Sequence, residues 1–401
     1  MPKSLPMPTS LPLVNQAERR ATDVPAWLVL LLAASCGLIG ANVYYAQPLI
    51  APIAADLGLS AHASGLIMAV GQIGYGAGLL LVVPLGDLLE NRRLVVGLIA
   101  FTAASLLLAA LSRHAALFLP ASLAIGLGAV AVQVLVPYAA NLAPDAVRGR
   151  VVGNVMSGLM LGIMLARPAA GLITDLLSWH AVFFTSAVLM VALAVGLRAV
   201  LPARWPEGGV SYGSLLMSMA GLARHTPILR RRAAYQAGLF SAYSVFWTTV
   251  PLLLADRFQL SQSGIALFAI AGVAGTIAAP IAGRVADRGW SRPATLAALL
   301  VGASAFLIGL AGHSITVLVI AANLLDFGVA ANLVLGQRAI FSLGANMRSR
   351  LNALYMAMFF GAGGLGSAVG AWAYAQGGWT LSSWIGFGLP IAAALVWVRE
   401  R

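Results

Sequence analysis

Charge is scarce in this sequence, and acid is the scarcest part of it. Only 9% of the 401 residues are Asp, Glu, Lys or Arg, and 12 of them are acids; a typical soluble domain carries about 25% charged residues. With 60% hydrophobic residues there is more apolar surface than a globular core can absorb, so the surrounding medium is lipid. Cysteine is nearly absent as well. The lone Cys36 excludes an internal disulfide and any multi-cysteine metal site within one chain. The histidines, His62, His114, His180, His225 and His313, contain no i, i+4 pair, so no metal site is expected. No glycine-lysine phosphate loop occurs, which removes ATP as the energy source. No cofactor is expected.

The net charge of +12 would suit nucleic acid if it formed one basic face. Instead the arginines sit in short clusters between apolar runs, and the expected partner is the bilayer, with no nucleic acid. Runs long enough to cross a membrane lie near 26–48, 62–85, 94–112, 116–139, 151–175 and 180–201, and again near 233–254, 263–285, 293–311, 315–337, 351–375 and 379–398. Arginine concentrates in the even-numbered connections, as Arg92-Arg93, Arg148 with Arg150, 204–232, Arg284 to Arg292, and Arg338 to Arg350. The positive-inside rule therefore places those connections and both termini in the cytoplasm of a cell whose inner, plasma membrane holds the chain. Residues 1–24 lack a convincing cleavage site and read as a cytoplasmic tail. The domains expected are that tail, a six-helix bundle over 25–201, a linker over 202–232 with an amphipathic helix from Tyr212 to Ala223, and a second bundle over 233–401.

The halves repeat. Arg148, Arg150, Met156 and Trp179 have counterparts 200 residues on in Arg348, Arg350, Met356 and Trp379, Asp87 matches Asp287, and Ser64-Gly65 nearly matches Ser263-Gly264. Internal symmetry of this kind marks secondary transporters. Between spans two and three stands Pro84-Leu-Gly-Asp-Leu-Leu-Glu-Asn-Arg-Arg93, and between spans eight and nine Gly283-Arg-Val-Ala-Asp-Arg-Gly289. This duplicated loop, with the twelve spans and the mid-chain linker, resembles the major facilitator superfamily, and in flavour its bacterial drug- and metabolite-efflux members. The resemblance implies an all-α membrane fold of two pseudo-symmetric six-helix bundles, with spans one, four, seven and ten around a pathway. The first loop departs from the pattern, with Val83 for the opening glycine and Leu88 for a basic residue. Span five is similar to the superfamily's glycine-proline motif, with Arg167 in place of the glycine. Span four has Ser122 where an arginine is usual, so the usual coupling role is not carried over there.

A carboxylate at a helix end suits the positive N-terminus of a helix entering from the same side. Asp87 is expected to face the start of span eleven near Arg348–Asn352, and Asp287 the start of span five near Arg148–Asn154. With Arg92, Arg93, Arg148, Arg150, Arg288, Arg348 and Arg350 they would form a cytoplasmic gate; the plainer alternative is a set of topology anchors. Arg167 and Asp326 fall well inside the membrane, where a charge costs about 3 kcal/mol on insertion scales, so both should face protein or water. Asp326 is the candidate proton carrier, and Arg167 a candidate contact for substrate or counter-charge; structural hydrogen bonding is the alternative for each. Asn42, Tyr45, Gln47, Gln133, Tyr243, Trp247 and Asn323 are candidate walls of an amphiphilic pathway.

The activity expected is proton-coupled export of a small organic solute by alternating access, in exchange for protons. Import of a nutrient or organic anion with protons is the alternative. A membrane enzyme would need a paired nucleophile and base at membrane depth, and a channel a repeated charge ring; neither is present in the sequence. One chain holds both halves of a pathway, so a monomer is expected to suffice.

Overall fold

The computed structural model describes residues 24–144, 147–206, 211–270, 274–310, 314–344 and 347–399. The expected tail, save Val24, lies outside these residues, as does His313. Among the described residues every regular element is helical. Span one is α1 (Ala26–Ala41) and α2 (Ile50–Asp56), separated by turns through 42–49; span two is α3 (Leu66–Leu81); span three is α4 (Asn91–Ala110). Span four is α5 (Ala115–Ala129) continued by α6 (Ala131–Leu142); spans five and six are α7 (Arg148–Leu176) and α8 (Trp179–Val200). The linker helix is α9 (Tyr212–His225), and span seven is α10 (Pro227–Phe258). Span eight is α11 (Gln262–Ile270) with α12 (Ala274–Asp287), span nine α13 (Ser291–Leu310), span ten α14 (Ile315–Phe341). A single stretch, α15 (Arg348–Val398), supplies spans eleven and twelve. Its axis reverses at Gly377-Gly378, where φ of +60° and ψ of −154° at Gly378 select glycine.

Nine of the described helices are long and apolar enough to cross a membrane, α15 being long enough for two crossings. Caps set several boundaries: Ser178 Oγ accepts from Ala181 N–H at the start of α8, and Ser314 Oγ from Thr316 N–H at the start of α14. Span seven starts at residue 227, ahead of the 233 read from hydropathy. Pro227 sits at the first helical position, where its missing N–H costs nothing, so the helix takes in Arg230–Arg232.

Gly158 and Gly162 on span five bring a helix close, and that helix is span one of the same half. A Cβ placed on Gly37 would stand 2.6 Å from the carbonyl oxygen of Gly158, and one on Gly162 would strike the backbone of Gly37. Span seven packs against span eleven in the corresponding way. The halves meet along two seams, span two with span eleven and span five with span eight.

The linker is tied to both halves on the arginine-rich face. Asn91 N–H donates to Arg204 O at 2.9 Å, Arg92 Nη1 to Leu201 O at 3.1 Å, and Tyr138 Oη to Pro202 O at 2.6 Å. Helix α9 buries Leu215 and Met219, one turn apart. Tyr212 Oη donates to Leu81 O at 2.7 Å, and Arg350 donates to Ser218 Oγ.

Candidate functional site

A cavity of about 700 Å³ runs between the halves. Spans one, two, four, five, ten and eleven line it, and Pro137, Phe341, Arg348 and Asn352 line its end on the arginine-rich face. Its inner wall is aromatic and thioether, from Tyr44, Tyr75, Phe359, Phe360, Met156 and Met160, with amides from Gln133 and Gln337. Among the described residues, Arg348 is the one charged side chain on that wall. An apolar chamber with a few convergent amides has the chemistry of a small-molecule pocket.

Past the inner end sits Arg167, one helical turn beyond the cavity-lining Ile163 and 7% exposed. Nε donates to Gln47 Oε1 at 2.6 Å, and Nη2 to Tyr243 Oη at 2.9 Å. The guanidinium carbon lies 4.6 Å from the centroid of the Trp247 ring and 5.5 Å from that of Tyr44. Cation–π contact and hydrogen bonding together replace the water that a buried guanidinium gives up. Trp247 also reaches the acid: its Nε1 donates to Asp326 Oδ1 at 3.1 Å. Among the described residues no direct ion pair joins Arg167 to Asp326. The indole stands between the cation of one half and the carboxylate of the other, binding each through a different part of its ring.

Sequence reasoning named Arg167, Gln47, Tyr243, Trp247 and Asp326, and the structure brings these five together. Gln133 lines the cavity and donates to Tyr75 Oη at 3.0 Å. Asn323, one turn before Asp326, donates to Val319 O of its own helix at 2.8 Å. Two expected pathway residues stand elsewhere. Asn42 is buried between spans one and six, donating to Leu38 O and Ile39 O and accepting from Ser186 Oγ at 2.6 Å. Tyr45 is buried off the cavity wall, and its neighbour Tyr44 takes the expected place. The turns at 42–49 interrupt the helix, so position in the sequence does not show which of the two tyrosines faces the cavity. Tyr44, Phe359 and Phe360 were missed, although the doublets Tyr44-Tyr45 and Phe359-Phe360 flag them.

On the arginine-rich face, Asp87 lines a side pocket of about 340 Å³ together with Arg204, Ser349 and Arg350, opposite the start of span eleven. Arg93 Nε lies 3.3 Å from Glu90 Oε2, and Arg92 Nε 3.8 Å from Glu90 Oε1. Arg148 Nε donates to Ala140 O at 3.0 Å and Arg348 Nε to Phe341 O at 3.1 Å, each tying the start of a span to the end of the preceding one; Arg150 and Arg288 stand exposed on this face. Asp287 does not face the start of span five: it pairs with Arg338 on span ten of its own half, the cation its helix packs beside.

A family model described as Major Facilitator Superfamily matches residues 31–229 and 233–401. The chain belongs to the major facilitator superfamily. It is 39% identical to the transporter YgaY of Escherichia coli O157:H7, over 93% of this chain and 95% of that one. It is 34% identical to the transporter SCO4007 of Streptomyces coelicolor, over 93% and 88%, and 27% identical to a chloramphenicol resistance protein of Streptomyces lividans, over 70% and 72%. The fold is similar to a crystal structure of a point mutant of the nucleoside transporter NupG, with a TM-score of 0.73 and 16% identity over 92% of this chain and 99% of the other. This superfamily member is thus a multi-pass membrane protein of two six-helix bundles, a secondary transporter of small molecules and not an enzyme.

Proposed function

We propose that this transporter exports a small amphiphilic organic solute in exchange for protons, with its arginine-rich face and both termini in the cytoplasm of the inner membrane. The observation that carries this reading is Trp247, shared between Arg167 of one half and Asp326 of the other. An ionised Asp326 accepts a charge-assisted hydrogen bond from the indole and attracts Arg167 across the boundary between halves. A proton on that carboxylate removes both effects. A solute that hydrogen-bonds the same carboxylate disfavours the proton, so the two exclude each other, which is the logic of exchange. Each proton returning down the potential supplies about 2.3 kcal/mol per 100 mV. The direction is supported by the relative named for chloramphenicol resistance and by the arginine-rich connections, which the positive-inside rule puts in the cytoplasm. Asp87 and Asp287, with the arginines around them, act in this reading as the gate at the cytoplasmic mouth. One chain suffices, since its two halves enclose the cavity.

Proton symport of an organic anion is the second reading, favoured by Arg167, a buried cation without a direct ion pair among the described residues. Everted vesicles carrying a pH-sensitive dye separate the two. Addition of an exported solute should collapse a preformed acid-inside gradient, whereas symport of an anion from the inside should consume the gradient only with solute preloaded. Asp326→Asn should abolish the exchange response at equal membrane levels. An unaltered response would remove the carboxylate from coupling.

A further inference from the structure

At the end away from the arginines the pathway is shut by both seams, and their clasps are related by the repeat. On one seam, Asp175 ends span five and Gln262 begins span eight. On the other, Gln376 ends span eleven and His62 precedes span two. Adding about 200 to 175 and 62 leads to 376 and 262, so the two contacts are the same contact in the two halves of the plan. Their chemistry differs. Asp175 Oδ1 accepts from Gln262 N–H at 3.1 Å and Oδ2 from Ser263 N–H at 2.7 Å, so one carboxylate caps the first turn of a helix in the other half. In the second seam His62 Nε2 and Gln376 Nε2 lie 2.9 Å apart, a contact between two exposed side chains.

Both seams are closely packed just inward of these contacts. A Cβ on Gly171 would stand 2.5 Å from Gln262 O, and one on Gly65 would stand 2.7 Å from Ala371 Cβ. The helices therefore touch at backbone distance on either side, and the clasps differ only in what holds the rim. A carboxylate on two N–H groups at the positive end of a helix is a charged, bidentate contact, while the His–Gln pair commits two flexible side chains to one bond.

We propose that Asp175 is the principal gating residue of this closed end: its release from the N-terminus of span eight is the step that lets the far side open, with His62–Gln376 a secondary clasp. The contact bridges the two halves, so rocking that opens this end must break it, whereas contacts within a half survive. It acts on the gate whatever the solute or coupling ion.

The test reads accessibility rather than transport. In a Cys36→Ser background, Leu254→Cys places a reporter at a fully buried position on span seven, next to Gln47, Ile265 and Phe268 behind this rim. Met156→Cys places a second on the cavity wall. Asp175→Ala should raise labelling of Leu254→Cys by a membrane-impermeant maleimide from that face about fivefold, the loss of a typical helix cap, and lower labelling of Met156→Cys from the arginine-rich face. Asp175→Asn, which keeps an acceptor and loses the charge, should fall between, and Gln376→Ala should change either rate less than twofold. Unchanged labelling in Asp175→Ala, or an equal effect of Gln376→Ala, would overturn the proposal. Equal gains at both reporters, from both faces, would mean a loosened fold and would overturn it too.

Discussion

At the closed end Asp175 of one half holds a helix N-terminus of the other through two backbone N–H groups. At the open end Asp87 faces span eleven across a pocket, and Asp287 bonds to Arg338 within its own half. All three acids sit at or near span ends, but only Asp175 and Asp87 stand opposite a helix start of the other half. Asp175 bonds to its helix start directly, whereas Asp87 shares a pocket with Ser349 and Arg350 at its own. The contrast is between a carboxylate seated on backbone N–H groups of the other half and two loop carboxylates that the structure places beside a pocket and beside an arginine of the same half. The close approach of spans one and five lies within a half and travels with it.

Changes at three positions probe that contrast. The strongest is Arg167→Leu, which removes the cation that joins Gln47 and Tyr243 beyond the inner end of the cavity. It should cut initial transport rates about tenfold or more at equal membrane levels, as breaking a buried charged network does. Arg167→Lys should recover little, because an ammonium cannot donate to Gln47 and Tyr243 in a fixed fork while lying flat against Trp247. Recovery to wild-type rates would show that charge alone matters there. Asp87→Asn should have a mixed effect. Stability of the form with its basic side open should move by no more than about 0.5 kcal/mol, read by thermal unfolding in detergent, yet transport should slow severalfold because the closed form loses its clasp. Normal transport would reduce Asp87 to a topology anchor. The smallest effect belongs to Arg338→Ala. It removes an exposed pair within one half, should shift stability by at most about 1 kcal/mol, and should slow transport less than Asp87→Asn does.

Much of the fold was legible because lipid imposes it. Long apolar runs, arginines in alternate connections and a 200-residue repeat pointed to twelve spans in two halves. Arg167 and Asp326 were legible as a centre for the same reason: charges within such runs need protein or water around them. Rotation was not legible. A helix that is apolar all round carries no stripe to show which face looks inward, and the turns at 42–49 erase the phase of the helix beyond them. That is why Asn42 and Tyr45, chosen by residue type, lie off the cavity wall, while Tyr44 is on it. Contacts between halves were harder still. Nothing near Asp175 in the sequence announces the backbone of Gln262 and Ser263, and the indole shared by Arg167 and Asp326 lies on a third helix.

The linker helix carries a mechanical consequence of its own. Tyr212 fastens it to Leu81 in one half and Ser218 to Arg350 in the other. Six residues of helix separate these anchors, a rod of about 9 Å. A rod neither stretches nor folds, so it keeps its two attachment points at one spacing. Any swing of one bundle against the other must pivot about this brace or unhook one end of it, which makes a surface segment outside the pathway a ruler for how far the mouth can travel.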